Sequence, residues 1–97
     1  MIIVHGAIEI DPEHWEDAME LSLEHVERSR AEPGCISHAV HIDAENPNRL
    51  VFFEEWQDMA ALQTHFQVPA SGEFVQQLET MATSQPQMRI FEAEPKA

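Results

Sequence analysis

Three side chains in the stretch NRLVFFEEWQDMAALQTHF, Asn48 to Phe66, are of types that could do chemistry together: a carboxylate, an indole and an imidazole. Glu54 and Trp56 close a strand-like run, and His65 follows on the segment that begins at Asp58. An imidazole exchanges a proton with a phenol or enol near neutral pH. A tryptophan offers a flat apolar face and one N–H donor. Strand alternation puts Trp56 in phase with Glu54, Phe52 and Leu50. On this reading His65 takes a proton, Glu54 orients it, and Trp56 with Phe52 stacks on a planar ring. Each residue also has a plainer reading. Trp56 could fill the junction between strand and helix, and His65 could be a half-buried histidine bonded to backbone.

Two further residues join the candidates. His5 falls on the strand face opposite Ile2, Val4 and Ile8, so it points to whatever covers that side, where it would need a hydrogen-bond partner. It is the second candidate base. Arg89, on the last strand-like segment, is either a surface or interface cation or a clamp on a substrate oxyanion. His38 and His41 take opposite faces of one strand, and the six histidines and the lone Cys35 show no recognised ligand spacing. No metal site is expected, and the absence of a nucleotide loop or flavin signature predicts no cofactor. Cys35 reads as a small apolar residue at a strand start.

The elements that must position these groups are legible in the patterning. Ile2 to Ile10 alternates as a strand. Asp11-Pro12 opens a helix with Trp15, Met19, Leu23 and Val26 on its apolar face, and Pro33-Gly34 ends it. Cys35 to Asp43 and Arg49 to Trp56 pair as a hairpin about the turn Asp43 to Asn48. Asp58 caps a second helix burying Leu62 and Phe66. Pro69 interrupts it, and the helix resumes over Glu73 to Thr83 with Phe74, Leu78 and Met81 inward. Met88 to Ala93 is the final strand, before a short polar tail at 94–97. The order predicts one α+β domain over 1–97, a ferredoxin-like βαββαβ unit with helices on one face of a four-stranded antiparallel sheet. Leu50, Val51, Phe52 and Phe53 make both faces of the third strand apolar. The face without helices then needs a second cover. A copy of the same chain about a two-fold axis would supply it, giving a homodimer with a cavity between sheet and partner.

Composition excludes several partners. Eighteen acidic residues against five basic ones give a formal charge of −13, which repels phosphate backbones and anionic lipid. No nucleic acid and no membrane is expected as a partner. No apolar run approaches the ~20 residues of a spanning helix. MIIVHGAIEI has no positive n-region or cleavage site, and one cysteine suits a reducing compartment. The expected location is cytoplasmic.

The segment EPGCISHAVHIDAENPNRLVFFEEWQDMAALQTHF resembles the signature region of the antibiotic biosynthesis monooxygenase (ABM) domain family. The matching features are the Pro33–Cys35 turn, the NPNR hairpin, the Glu55-Trp56 strand end and the Ala61-Leu62 to His65 helix start. The resemblance implies a dimeric α+β barrel. It implies a cofactor-independent monooxygenase acting with O2 on a small electron-rich aromatic, such as a hydroquinone or anthrone. A non-catalytic ligand-binding or stress-associated barrel is the alternative on the same fold. Many members carry a second histidine after the helix-interrupting proline, where this chain has Ala70-Ser71-Gly72. Members that degrade haem use an asparagine on the first strand. That strand has none here, so haem is not expected.

Overall fold

The computed structural model describes residues Met1–Ala97. Its elements are β1 (Ile2–Glu9), α1 (Trp15–Arg30), β2 (Cys35–Asp43), β3 (Asn46–Trp56), α2 (Met59–Gln67), α3 (Pro69–Thr80) and β4 (Gln87–Glu92). The strands form one antiparallel sheet in the order β2-β3-β1-β4, with the helices packed on one side. This is the ferredoxin-like arrangement expected from the order of the elements.

Register decides which side chains meet the helices. Ile2, Val4, Gly6 and Ile8 pair with Trp56, Glu54, Phe52 and Leu50, and seven of these eight are buried, Gly6 being the partly exposed one. Across the sheet, His38, Val40 and Ile42 of β2 lie beside Glu54, Phe52 and Leu50. The main core forms where Ile8, Ile10, Leu50 and Phe52 meet Ala18 and Val26 of α1 and Phe74 and Leu78 of α3. A smaller cluster of Ile2, Val4, Trp56 and Leu62 holds the other end.

Several elements differ from their sequence expectation. The turn between β2 and β3 is only Ala44-Glu45, because the Asp43 carboxylate accepts the Glu45 N–H at 2.9 Å and the Arg49 guanidinium at 2.9 Å. β3 therefore starts at Asn46. α1 turns a different face inward: Ala18, Ser22, His25, Val26 and Ser29 are buried, while Leu23 is 54% exposed. Small side chains let the helix axis come close to the sheet, and Trp15 and Met19 pack at the flank of the core. In α2 the buried partner of Leu62 is His65, and Phe66 is 44% exposed. Pro69 starts α3 instead of merely breaking a helix, since a missing N–H costs nothing in the first turn. Ser71 and Gly72 thus belong to a helix.

The turn after α1 is constrained sterically. Gly34 has φ +83°, and a β-carbon there would stand 2.6 Å from the Ala61 Cβ at the start of α2. Only glycine suits both the left-handed backbone and this approach.

Candidate functional site

Between the sheet and the helices lies a cavity of about 370 Å³, within the roughly 300–1,000 Å³ of small-molecule sites. Its floor is open because Gly6 presents no side chain on the helix-facing side, between Phe52 of β3 and Met88 of β4. Phe52 and Phe74 form an aromatic wall, with ring centroids 5.9 Å apart in an edge-on arrangement. On α3, Gly72 leaves open space where a side chain would stand. Phe66, Val75 and Met88 are exposed at the mouth, so entry is apolar.

The deep end is polar. Glu54, His25 and His65 reach the cavity wall, and His38 stands behind them with 1% exposure. The three imidazole centroids form a triangle with sides of 5.2, 5.4 and 5.6 Å. Each ring has an outer neighbour. Glu32 Oε1 lies 2.8 Å from His65 Nδ1. The carboxylate is the acceptor there, so Nδ1–H donates and Nε2 keeps its lone pair. Arg28 donates to His25 Nδ1 at 3.0 Å, and His25 stacks on Phe74 at 4.0 Å. Glu54 Oε1 approaches His38 Nε2 at 3.4 Å, without hydrogen-bond geometry. The same oxygen accepts the Trp56 indole N–H at 2.9 Å.

Burial and neighbouring charges set the protonation states. Burial, with His38, His65 and Arg28 nearby, pushes His25 from an ordinary 6.5 down to about 3, so its ring is neutral at physiological pH. Burial pushes the Glu54 carboxyl up, but the His38 ring, the indole N–H and His65 outweigh it and hold the acid below its ordinary range. Cys35 is half-buried at the start of β2, and burial with nearby Glu32 and Glu54 pushes its thiol up, away from thiolate chemistry.

The sequence profile of the antibiotic biosynthesis monooxygenase family matches residues 1–77. The chain belongs to this family. A solved ABM structure, described as an antibiotic biosynthesis monooxygenase, superposes with a TM-score of 0.90 at 29% identity, over 98% of this chain and 100% of the other. A conserved protein from Methanosarcina mazei Go1 superposes at 0.91 with 27% identity, over 96% of this chain and 92% of that one. The protein sll1783 of Synechocystis sp. is 38% identical over 90 residues. Those residues are 93% of this chain but only 61% of the cyanobacterial protein, so this chain spans about three-fifths of that relative.

Within this ABM fold the sequence candidates divide between two sides of the sheet. Glu54, Phe52 and His65 come together at the cavity, with Trp56 directly behind them. His5 and Arg89 pair across β1 and β4 on the opposite face, away from that cavity. The reason is register: residues 5 and 89 have the opposite strand phase to Val4, Glu54 and Ile90. This cavity lies inside one chain, between sheet and helices. Trp56 is fully buried and its N–H is taken by Glu54, so Phe52 and Phe74 supply the aromatic wall. Glu32, not Glu54, is hydrogen-bonded to His65. Sequence reasoning missed Glu32, His25 and Phe74 as site residues. The helical spacing of Phe74 with Leu78 marks it as inward, but no local pattern ties Glu32 or His25 to a residue on another element.

Proposed function

We propose that the chain is a cofactor-independent monooxygenase acting with O2 on a small electron-rich aromatic of the hydroquinone or anthrone type. The observation that carries this reading is the Glu32–His65 pair at the deep end of an apolar, aromatic-walled cavity. Phe52 and Phe74 hold the ring, and His65 Nε2 removes its acidic proton. Glu32 favours the resulting imidazolium by holding Nδ1–H. The electron-rich anion then reduces O2 and combines with it to form a carbon-bound peroxide, which takes the proton back from His65. For an anthrone CH2, loss of water from that hydroperoxide leaves the carbonyl, so CH2 and O2 become C=O and H2O. The apolar wall keeps bulk water from the anion.

The face of the sheet opposite the helices is proposed to pack on a second copy. Ile3, Val51, Phe53 and Phe91 lie there, with Phe53 37% and Phe91 40% exposed. Family membership favours such self-association. His5 and Arg89 are then interface residues instead of catalytic ones.

Oxygen uptake on a panel of hydroquinones and an anthrone tests the reading. His65→Ala should lower turnover by roughly 10²–10⁴-fold, the range for a lost general base, while His5→Ala leaves it near wild type. Tight ligand binding without oxygen uptake by the wild type would identify a binding protein. Equal rates for His65→Ala and wild type would remove His65 as the base.

A further inference from the structure

The three buried imidazoles hold more than one proton acceptor requires. One ligand nitrogen from each of His25, His38 and His65 lies within 4.8 Å of the other two. His38 is the least explained of them: neither of its ring nitrogens has a hydrogen-bond partner although both are buried. Such a group calls for a missing partner. We propose that His25, His38 and His65 form a three-imidazole site for a divalent transition-metal ion, with zinc the best match. The ion would sit at the deep end of the cavity with a coordination position open towards it. This inference concerns binding by the chain and does not rest on the oxygenase reading; while His65 Nε2 holds an ion it is not available as the base of that reading.

Four lines converge on it. The donor set is right, because three neutral imidazoles with a vacant position suit zinc and the later first-row ions. The spacing is near. Ligands on a tetrahedral ion with Zn–N of about 2.0–2.1 Å stand roughly 3.4 Å apart, so the rings need to move inward by less than about an ångström. Charge also balances, since Glu32 beside His65 and Glu54 beside His38 together offset a dication. The Glu32–His65 bond is the carboxylate–histidine pairing that orients metal ligands and leaves the opposite nitrogen free.

Arg28 is the opposing element. A guanidinium can only donate, so its 3.0 Å contact makes His25 Nδ1 an acceptor and puts the ring proton on Nε2. Whichever nitrogen of His25 takes the metal, Arg28 must let go. It is an exposed side chain whose other contact is the Ala70 carbonyl at 3.3 Å, so it can swing away. Arg28 therefore acts as a gate that weakens metal binding, a prediction that an ordinary surface histidine site would not make.

The test uses untagged, metal-stripped protein titrated with Zn2+ by calorimetry and with Co2+ by visible absorption. The expected result is one ion per chain, with the visible bands of nitrogen-ligated Co2+. Removing the other histidines (His5→Ala, His14→Ala and His41→Ala together) should leave binding unchanged. His38→Gln and His65→Gln should each abolish stoichiometric binding, and Glu32→Gln should weaken it by roughly 10–100-fold. Arg28→Gln should tighten it several-fold in a folded protein, which keeps the test decisive if a buried histidine variant misfolds. Absence of stoichiometric binding in both wild type and Arg28→Gln would overturn the proposal. So would binding that survives in folded His38→Gln or that vanishes with His5, His14 and His41.

Discussion

The two faces of this sheet are written in the same apolar alphabet and come to opposite ends. On the helix-covered face, Trp56, Glu54 and Phe52 alternate down β3 beside Val4 and Ile2 of β1, and helices seal them from water. On the other face, Val51 and Phe53 alternate with them and nothing in the chain covers them; Phe53 remains 37% exposed. The covered face buries polar groups that are hydrogen-bonded to one another: indole to Glu54 and His65 to Glu32. The polar pairs of the open face are only partly buried: Ser37 donates to Glu55 at 2.7 Å, Arg49 to Asp43 at 2.9 Å, and Arg89 lies 4.9 Å over the Phe91 ring. Apolar alternation therefore locates strands but does not tell a site from an interface. The buried polar partners do.

The largest expected effect breaks the covered face. Trp56→Ala should cost ~3–5 kcal/mol of folding stability, the range for a large buried aromatic, because it removes the centre of the smaller core and leaves Glu54 without its indole donor. Denaturant unfolding of the variant measures this, and a loss under ~1 kcal/mol would mean the indole is not a core residue.

Acid should sharpen the contrast next. His25 takes its proton near pH 3 when folded but near 6.5 in the unfolded chain. The unfolded state thus binds more protons between those values, so stability is full above about pH 6.5 and falls as pH drops towards 3. One proton corresponds to about 1.4 kcal/mol per pH unit, giving a loss of about 2 kcal/mol between pH 6.5 and 5. Below about pH 4.5 Glu54, whose acid is also held low, adds to the same trend. Urea midpoints measured from pH 7 to 5 on metal-free protein should show this slope, and His25→Asn should flatten it. A wild-type midpoint independent of pH over that range contradicts a neutral buried His25.

The smallest effect on the folded chain belongs to the open face. Phe53→Asp should change the unfolding free energy of a monomer by no more than about 0.5 kcal/mol, as surface changes do, while converting the proposed dimer into a monomer in sedimentation. A variant that still sediments as a dimer would move the interface elsewhere.

Much of the architecture was readable because strands and turns report themselves locally. The β1 alternation, the pairing of β2 with β3, the Asp58 cap and the Pro33-Gly34 stop all lie where their residues put them, although the hairpin turn is shorter. The α1 face was not readable for a physical reason. Its inward positions Ser22, His25 and Ser29 are polar, so an apolar count selects Leu23 instead. The same bias favoured Phe66 over His65 as the buried residue of α2. Glu54, Phe52 and His65 could be linked by phase and proximity along one stretch. Glu32 reaches His65 across 33 positions of chain, and His25 meets His38 only because α1 packs on β2. Contacts of that kind depend on tertiary packing and leave no local periodicity.

The clearance at Gly34 bears on how this family can be recognised. The Pro-Gly-Cys turn stands out in the sequence, yet what it satisfies is packing against Ala61 that leaves no room for a β-carbon, together with a left-handed backbone angle, neither of which involves a proton or a substrate. Any chain that threads α1, β2 and α2 together this tightly has the same need, whatever its cavity holds. The turn is therefore a signature of construction. A relative could keep the turn with quite different side chains at the deep end of its cavity.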